Sequence, residues 1–168
     1  MSTVVLKLGD DISTDVIYPG RYMATVLPSE TPQFAFADDA ALNAQLKAKR
    51  IAPGSAIVAG KNFGCGSSRE QAVSALQGHG LMIVAKSFAR IFLQNSVNLG
   101  LHLIEVPDIE ASEGDELSVA RDAILNETTG RPFRIVPVPK SRQVIIDAGG
   151  LIAYTRTRVV AKSREKAG

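Results

Sequence analysis

The chain has 168 residues, 45% of them hydrophobic, and its 19 basic and 17 acidic side chains leave a net charge of +2. A chain of this size can bury one core without disulfides, so we expect a single domain over residues 1–168, with an ordered core at about 3–160 and a basic tail at 161–168. The balanced charge argues against nucleic acid as a partner, and no apolar run is long enough to span a membrane.

The single cysteine and the first residues indicate the cellular compartment. Cys65 has no second cysteine to pair with, and alone it cannot hold a zinc or iron–sulfur site. The first residues, MSTVVLKL, lack the charged and long apolar regions of a secretion signal. We therefore expect a cytoplasmic protein that has no membrane partner.

The first third of the chain predicts one strand, two loops and a short helix. Residues 4–8 alternate weakly, which favours a first strand. Residues 12–22 combine turn formers with aromatics and predict an ordered surface loop. Residues 23–36 have no period and contain two prolines, which predicts a long loop of the kind that covers a site. A short helix is expected over about 38–49.

The middle of the chain alternates strands and helices. The predicted elements are a strand at 56–59, a helix at 68–77, a strand at 81–85, a helix at about 88–99 and a strand at 101–106. Ser87 is expected to cap the second helix, and Gly100 is expected to end it. This alternation favours a parallel sheet with right-handed crossovers.

The last third of the chain lacks this alternation and contains short segments with strand character, followed by a helical segment. Short strands are predicted at 116–120, 123–126 and 133–138, and a final helix is predicted over 144–160, broken or capped at the pair Gly149-Gly150. We interpret the basic residues near the C-terminus as a solvated helix end. These residues are Arg156, Arg158, Lys162, Arg164 and Lys166.

Residues 60–71, GKNFGCGSSREQ, are the segment that folding alone explains least. Three glycines precede Ser67, Ser68 and Arg69, and either serine is expected to cap the following helix. Unpaired N–H groups, two hydroxyls and a guanidinium would then meet at one helix N-terminus, which predicts a site for a carboxylate or phosphate. The segment does not match a P-loop, a dinucleotide fingerprint or a nucleophile elbow.

A cysteine nucleophile is an alternative use of the same segment. Cys65 would need a base, and the chain offers His79 and His102. His79 falls at the far end of the predicted helix, about 15 Å away by helical rise. We favour a structural interpretation, in which Cys65 is a small residue packed under the loop, His79 a turn residue and His102 a strand residue.

Three spaced segments carry a family resemblance. They are DDISTDVIYP at 10–19, NFGCGSSREQA at 62–72, and KSFARIF at 86–92 with Asn95. In this order they resemble the signatures of the swivelling domain of the aconitase superfamily, and more narrowly the free-standing small subunits of the 3-isopropylmalate dehydratase family. The resemblance implies an α/β fold, a three-layer β/β/α swivelling domain with a partly parallel central sheet.

The resemblance also implies a reaction and its site residues. Family members isomerise hydroxy acids by removing water and adding it back, using a [4Fe–4S] cluster that the large subunit holds, so this chain is expected to bind no cofactor and to work in a heterodimer or higher heteromer. By motif position, Ser67 is expected to take the carbon-bound proton. Ser68 and Arg69 are expected to bind substrate carboxylate, and Asp15 to help shape the site.

The loop after Tyr22 bears on the substrate. Homoaconitase-like relatives have an arginine two residues after this tyrosine, where this chain has Ala24, followed by Thr25. An uncharged loop favours a substrate with an alkyl group, because burying an extra distal carboxylate there would be costly. Together with the resemblance, this implies that 2-isopropylmalate and 3-isopropylmalate are interconverted in leucine biosynthesis. The alternatives are a related hydro-lyase of the dimethylmalate, citramalate or homoaconitate type, and a non-catalytic docking domain.

Overall fold

The computed structural model describes the backbone of residues 1–165 and the side chains of residues 1–160. In that part of the chain, seven strands form one sheet: β1 Ser2–Lys7, β2 Ala56–Ala59, β3 Met82–Ala85, β4 Leu103–Glu105, β5 Glu116–Val119, β6 Ala123–Asn126 and β7 Arg131–Arg134. The α-helices are α1 Thr14–Ile17, α2 Ala40–Lys47, α3 Glu70–Gly78, α4 Arg90–Leu99, α5 Lys140–Asp147 and α6 Leu151–Glu165.

The sheet has a parallel and an antiparallel half, and β1 joins them. The strand order is β4-β3-β2-β1-β5-β6-β7. β1 to β4 pair in parallel through the helical crossovers, whereas β1 pairs antiparallel with β5, and β6 and β7 continue that antiparallel half. The predicted parallel unit in the middle of the chain is therefore confirmed.

Two hydrophobic cores lie on opposite faces of the parallel half. Ile57 and Ala59 of β2 belong to the core shared with helices, whereas Ala56 and Val58 point to a second core shared with β5 to β7. All four residues are buried, as expected for a parallel strand covered on both faces. The layers are thus helix, parallel sheet and antiparallel sheet, which confirms the predicted β/β/α arrangement.

The first strand changes face along its length. Val4 belongs to the core beside the antiparallel half, but Leu6, two residues later, packs against the core beneath the helices. Residues two apart normally share one face of a strand. An irregularity in the pairing with β2 between Val4 and Leu6 accounts for the switch.

The serine cap predicted for α3 is wrong. The helix begins at Glu70, two residues later than expected, and its N-cap residue Arg69 makes no side-chain capping hydrogen bond. Neither Ser67 nor Ser68 is therefore the N-cap residue. The hydroxyl of Ser67 lies 3.2 Å from that of Thr14, a contact that reaches back across the chain instead of along the helix.

The cap predicted for α4 is also wrong, whereas its predicted end is confirmed. The helix begins at Arg90 after Ala89, without a side-chain cap. The Ser87 hydroxyl instead accepts a hydrogen bond from the backbone N–H of Asn62 at 2.9 Å. Gly100 ends the helix in the left-handed conformation, with φ of 78°.

The segment predicted as the long loop 23–36 is only partly irregular. A 3-10 turn, Thr31–Phe34, packs against α3, and the Thr31 side chain is buried. The following helix α2 is shorter than predicted, and the Asp39 side chain caps it by accepting from the N–H of Leu42 at 2.9 Å.

The C-terminal part ends in two helices, as the glycine pair predicted. α5 and α6 are separated by Ala148, Gly149 and Gly150. Arg156 and Arg158 are exposed on α6, while the side chains of the predicted basic tail 161–168 lie outside the described residues. None of the helices that the structure describes is long and apolar enough to cross a membrane.

Candidate active site

Backbone hydrogen bonds attach the segment before α1 to the glycine loop between β2 and α3. The N–H of Gly64 donates to the carbonyl of Ile12 at 2.8 Å, and the N–H of Thr14 donates to the carbonyl of Cys65, also at 2.8 Å. α1 begins here because the Ser13 hydroxyl caps it, accepting from the N–H of Asp15 at 3.1 Å. Residues 51 and 52 positions apart in sequence are thereby held side by side.

The segment before α4 is attached to the other side of the same loop. The N–H of Phe63 donates to the carbonyl of Ser87 at 3.0 Å, and the N–H of Ala89 donates to the carbonyl of Phe63 at 2.9 Å. The buried ring of Phe63 makes edge contacts with Phe88 and Phe92, with ring centroids 6.1 and 5.4 Å away. All three segments that carry the family resemblance therefore meet at one loop.

Two glycines allow the loop to pack this closely. Gly64 has φ of 81°, and a Cβ at this position would lie 2.2 Å from Cγ of Phe92. Gly66 has φ of 91°, and its Cβ would lie 2.9 Å from the hydroxyl of Ser13. Both positions favour glycine by conformation and by contact.

Ser67 and Ser68 are exposed at the end of this loop, where Ser67 contacts the buried Thr14 and Ser68 contacts the half-buried Asn95. The Thr14 hydroxyl lies 3.2 Å from the Ser67 hydroxyl and 3.3 Å from the Ser67 carbonyl. The side-chain amide of Asn95, on α4, donates to the Ser68 carbonyl at 3.1 Å. The loop thus presents two hydroxyls to solvent from a fixed backbone.

Arg69 and Asp15, which the sequence predicted as site residues, form an ion pair beside these serines. The guanidinium is the more sheltered partner, with 15% of its side chain exposed against 56% for Asp15. Nε of Arg69 also donates to the sulfur of Met23 at 3.3 Å, and the guanidinium lies close against Gly20. Two donor nitrogens of the arginine, Nε and Nη1, are therefore engaged by protein, next to the two exposed serines.

Ala24 and Thr25 lie in the loop that follows Met23, with Ala24 exposed and Thr25 half-buried. The structure brings their neighbour Met23 to Arg69, whereas the Thr25 side chain makes no hydrogen bond to Ser67 or Ser68. The hydroxyl of Tyr18 fastens this loop by donating to the carbonyl of Tyr22 at 3.1 Å, with the Thr25 carbonyl at 3.4 Å. Burial raises the pKa of Tyr18, so this hydroxyl keeps its proton.

The cysteine alternative finds no support in the geometry. The Cys65 thiol points back toward the carbonyl of Asp11 at 3.3 Å. His79 caps the far end of α3, where its Nε2 lies 2.8 Å from the carbonyl of Pro32, and His102 is an exposed residue just before β4. Neither histidine is paired with the thiol, and Cys65 is half-buried under the loop as expected.

Three contacts at this site escaped the sequence analysis. Thr14, Asn95 and Met23 all touch the 67–69 stretch, from 53, 27 and 46 residues away in the chain. Thr14 and Asn95 belong to segments that carry the family resemblance. The resemblance placed these segments at the site, but it did not show that Thr14 contacts Ser67 or that Asn95 contacts Ser68. For Met23 no local signal exists. Among the residues that the structure describes, no three His, Cys, Asp or Glu side chains come together in a group that could hold a metal.

Helices on one face of a mixed sheet, with a hydroxyl-bearing loop where β2 leads into α3, define the class of the aconitase C-terminal domain. The model of that family matches residues 12–108. The small subunits of 3-isopropylmalate dehydratase from Thermodesulfovibrio yellowstonii and Heliobacterium modesticaldum are 42% and 44% identical to this chain. The first alignment covers 92% of this chain and 93% of the relative, and the second covers 92% and 94%.

Two proteins from a further organism are also similar to this chain. The isopropylmalate/citramalate isomerase small subunit of Methanocaldococcus jannaschii is 42% identical, over 92% of this chain and 93% of the relative. The crystal structure of a 3-isopropylmalate dehydratase from the same organism superposes with a TM-score of 0.87, at 36% identity and over 97% of both chains. The chain belongs to the family of 3-isopropylmalate dehydratase small subunits.

Proposed function

We propose that this chain is the small subunit of a hydro-lyase that interconverts 2-isopropylmalate and 3-isopropylmalate in leucine biosynthesis. The observation that carries the proposal is the exposed Ser67 hydroxyl beside the Arg69–Asp15 pair, in a member of the small-subunit family. The proposal includes one swivelling domain with its core at about 3–160, working in the cytoplasm.

In this proposal Ser67 takes the proton from the substrate carbon. The electron pair of the broken C–H bond forms the carbon–carbon double bond, and the hydroxyl on the neighbouring carbon leaves with its own bonding pair. A serine hydroxyl is a weak base, so its deprotonated form needs hydrogen-bond donors and positive charge nearby. The glycine loop, the start of α3 and Arg69 supply these on this chain.

Arg69 and Ser68 are proposed to bind a substrate carboxylate. A guanidinium presents N–H donors in a planar fork that matches both carboxylate oxygens. Asp15 occupies part of that fork in the free chain, so it holds the arginine in place beside the serines before substrate arrives. The substrate carboxylate can then use the remaining donors without waiting for a long side chain to become ordered.

The proposal assigns a [4Fe–4S] cluster to the large subunit, where it supplies Lewis-acid chemistry at the hydroxyl that leaves. The chain described here has one cysteine, which does not suffice for a cluster ligated by several thiolates. This chain contributes the base and part of the carboxylate site, so the two subunits must meet at the exposed loop, in a heterodimer or a higher heteromer.

Exposed apolar side chains beside the site are proposed to contact the large subunit. Val16 follows Asp15 on α1, Met23 contacts Arg69, and Val26 and Leu27 continue that loop. Val26 is 66% exposed, and apolar side chains that are exposed together beside a site are typical of a protein–protein contact.

Loop chemistry favours an alkyl substituent on the malate. Ala24 and Val26 carry no charge or hydrogen-bonding group that could compensate a distal carboxylate. Citramalate is a second candidate substrate, because the Methanocaldococcus jannaschii relative is named for isopropylmalate and citramalate together. Rates measured with the assembled enzyme on isopropylmalate, citramalate, dimethylmalate and homoaconitate would rank these acids; a preference for homoaconitate would contradict the loop argument.

The proposed function is tested by reconstitution. The purified chain should have no dehydratase activity, and mixing it with its iron–sulfur large subunit should restore activity. Ser67→Ala in the assembled enzyme should lower kcat by about 10²–10⁴-fold with a small change in KM, because the base is lost while the carboxylate contacts remain. Activity of the chain alone, without iron, would refute the proposal.

Two matched variants make this result specific. Ser141→Ala removes an exposed serine on α5 and should leave kcat unchanged within about twofold. Cys65→Ala should also keep most of the activity; a loss equal to that of Ser67→Ala would favour the cysteine alternative. Full activity in Ser67→Ala, with Ser68 and Arg69 also replaceable, would favour a docking domain.

A further inference from the structure

We infer that Thr14 is the positioning residue for Ser67, and that its hydroxyl supplies a hydrogen bond to the Ser67 oxygen when that oxygen has lost its proton. The inference rests on the proposed role of Ser67 as the base. It concerns a residue that makes no contact with solvent, since the Thr14 side chain is buried beneath the loop at 1% exposure.

The backbone around Thr14 is tied to the loop that it supports. The N–H of Thr14 donates to the carbonyl of Cys65 at 2.8 Å, two residues before Ser67. Between them lies Gly66, where a Cβ would approach the hydroxyl of Thr14 to 3.5 Å. The closer approach would be to the Ser13 hydroxyl, at 2.9 Å, so Gly66 lets the loop pack against the residue that precedes Thr14.

The Thr14 hydroxyl has two acceptors within reach and one proton to give. Its oxygen lies 3.3 Å from the Ser67 carbonyl and 3.2 Å from the Ser67 hydroxyl oxygen. While Ser67 is protonated, Ser67 can donate to Thr14, and Thr14 can donate to the carbonyl. The two hydroxyls and the carbonyl then satisfy one another without a buried unpaired group.

Loss of the Ser67 proton changes this pattern. A deprotonated Ser67 oxygen can only accept, so the Thr14 hydroxyl turns by rotation about its C–O bond and donates to it. Hydrogen bonds to a charged oxygen are about twice as strong as neutral ones. The contact is therefore stronger in the charged state than in the resting state, and an interaction of that kind raises kcat more than it lowers KM.

Other charged and titratable groups lie on the elements around Ser67. They are Asp15 on α1, Arg69 and Glu70 at the start of α3, and Cys65 in the loop. Asp15 and Arg69 pair with each other, and the Cys65 thiol is directed to the carbonyl of Asp11. Because none of these groups is altered when Thr14 is replaced, a change in pH dependence reports on the hydroxyl alone.

The test uses the enzyme assembled with its large subunit and follows kcat and KM across pH. Thr14→Val keeps the branched shape and removes the hydroxyl; it should lower kcat by about 10- to 100-fold, with KM within about threefold. The rising limb of the pH profile of kcat should move to higher pH by about one unit, because the charged form of Ser67 has lost a donor. Thr14→Ser restores the donor and should return kcat to within about threefold of the parent.

A matched control exists elsewhere in the chain. Thr31 is also buried, and its hydroxyl pairs with that of Ser74 at 2.8 Å. Thr31→Val likewise removes a buried threonine hydroxyl that pairs with a serine, but outside the site, so kcat and the pH profile should stay unchanged. If Thr14→Val does not fold or assemble, Thr14→Ala replaces it in the comparison.

The kcat values and pH profiles of the Thr14 and Ser67 variants together test the role of Thr14. A lower kcat with a displaced pH profile and rescue by Thr14→Ser supports the inference. A Thr14→Val enzyme as active as Thr31→Val overturns it, and so does a lower kcat with an unmoved profile, which would indicate a purely structural role. Ser67→Ala run in parallel separates the two proposals, since its full activity would refute the base itself, whereas its loss beside an unaffected Thr14→Val would refute only the role of Thr14.

Discussion

Replacing Gly64 by alanine tests whether the glycine loop is held as tightly as its contacts indicate. An alanine here must adopt φ of 81°, which costs about 1–2 kcal/mol for a residue with a Cβ. The Cβ of this alanine would also lie 2.2 to 2.6 Å from three atoms of Phe92, one of which is the Phe92 Cβ. Because Phe92 is buried and these atoms lie close to the backbone of α4, the clash adds about 1–3 kcal/mol.

Gly64→Ala should therefore lose about 2–5 kcal/mol of unfolding free energy, equivalent to a fall in Tm of roughly 4–20 °C in a chain of this size. Gly130→Ala is the matched control, since Gly130 has φ of 71° but nothing lies within 4 Å of its Cβ position. It should lose only the conformational part, about 1–2 kcal/mol.

Denaturant and thermal unfolding of the isolated chain, followed by circular dichroism, measures both values. Gly64→Ala and Gly130→Ala share the cost of the backbone conformation, so the difference between their losses of unfolding free energy measures the clash with Phe92. Combining Gly64→Ala with Phe92→Ala should cost at least about 1 kcal/mol less than the sum of the single changes, because the ring atoms are gone. Equal losses in Gly64→Ala and Gly130→Ala would refute the tight packing of this loop.

Three further predictions concern the substrate, the partner and pH. Arg69→Lys in the assembled enzyme should raise KM about 10- to 100-fold in steady-state assays, because an ammonium cannot make the paired contacts of a guanidinium; an unchanged KM would exclude Arg69 from the carboxylate site. Val26→Lys should weaken association with the large subunit about 5- to 100-fold in calorimetry, whereas Val119→Lys, at a similarly exposed valine on β5, should not. The Ser112 N–H and then the Asn126 amide hold the pKa of Asp115 below its usual value, so its contribution to stability is present above about pH 4 and is lost as pH falls through the folded pKa. Unfolding of Asp115→Asn at pH 7 and pH 3 should accordingly show a smaller loss on acidification than the parent shows, and an identical loss would contradict this assignment.

Periodic segments were the part of the fold that the sequence predicted well. The strands 56–59 and 123–126 have the predicted limits, because turn formers on both sides of a short apolar run fix where the strand begins and ends. Both helical crossovers and the break at Gly149-Gly150 were also predicted. In these places local preference and tertiary packing agree.

Helix starts were predicted less well, because capping rules consider only neighbours along the chain. Ser87 has the right residue type and position for a cap, but its hydroxyl serves Asn62 on the glycine loop. Ser67 meets Thr14, which lies 53 residues earlier. A hydroxyl that has a distant partner cannot be recognised from a local pattern, and sites built from several segments are where such partners concentrate.

The sequence predicted the residues of the candidate site but not the contacts that hold them in place. Ser67, Ser68, Arg69 and Asp15 do lie together, and their roles remain predictions. Ala24 lies beside Met23, yet the contact with Arg69 is made by Met23 through a sulfur atom that no motif signals. The long-range hydrogen bonds that hold the loop come mainly from backbone groups, which leave no mark in residue type.

The position of β1 affects how the chain folds during synthesis. This strand is made before its partners, but it lies in the middle of the sheet, and the strands on either side begin at residues 56 and 116. Both edges of β1 therefore stay unpaired during synthesis until the residues of β2 and then of β5 have been made. Deleting residues 1–7 would divide the sheet into two three-stranded sheets, each with an unpaired edge strand that could aggregate. A purification tag should therefore be fused before the exposed Met1 and should not replace this strand.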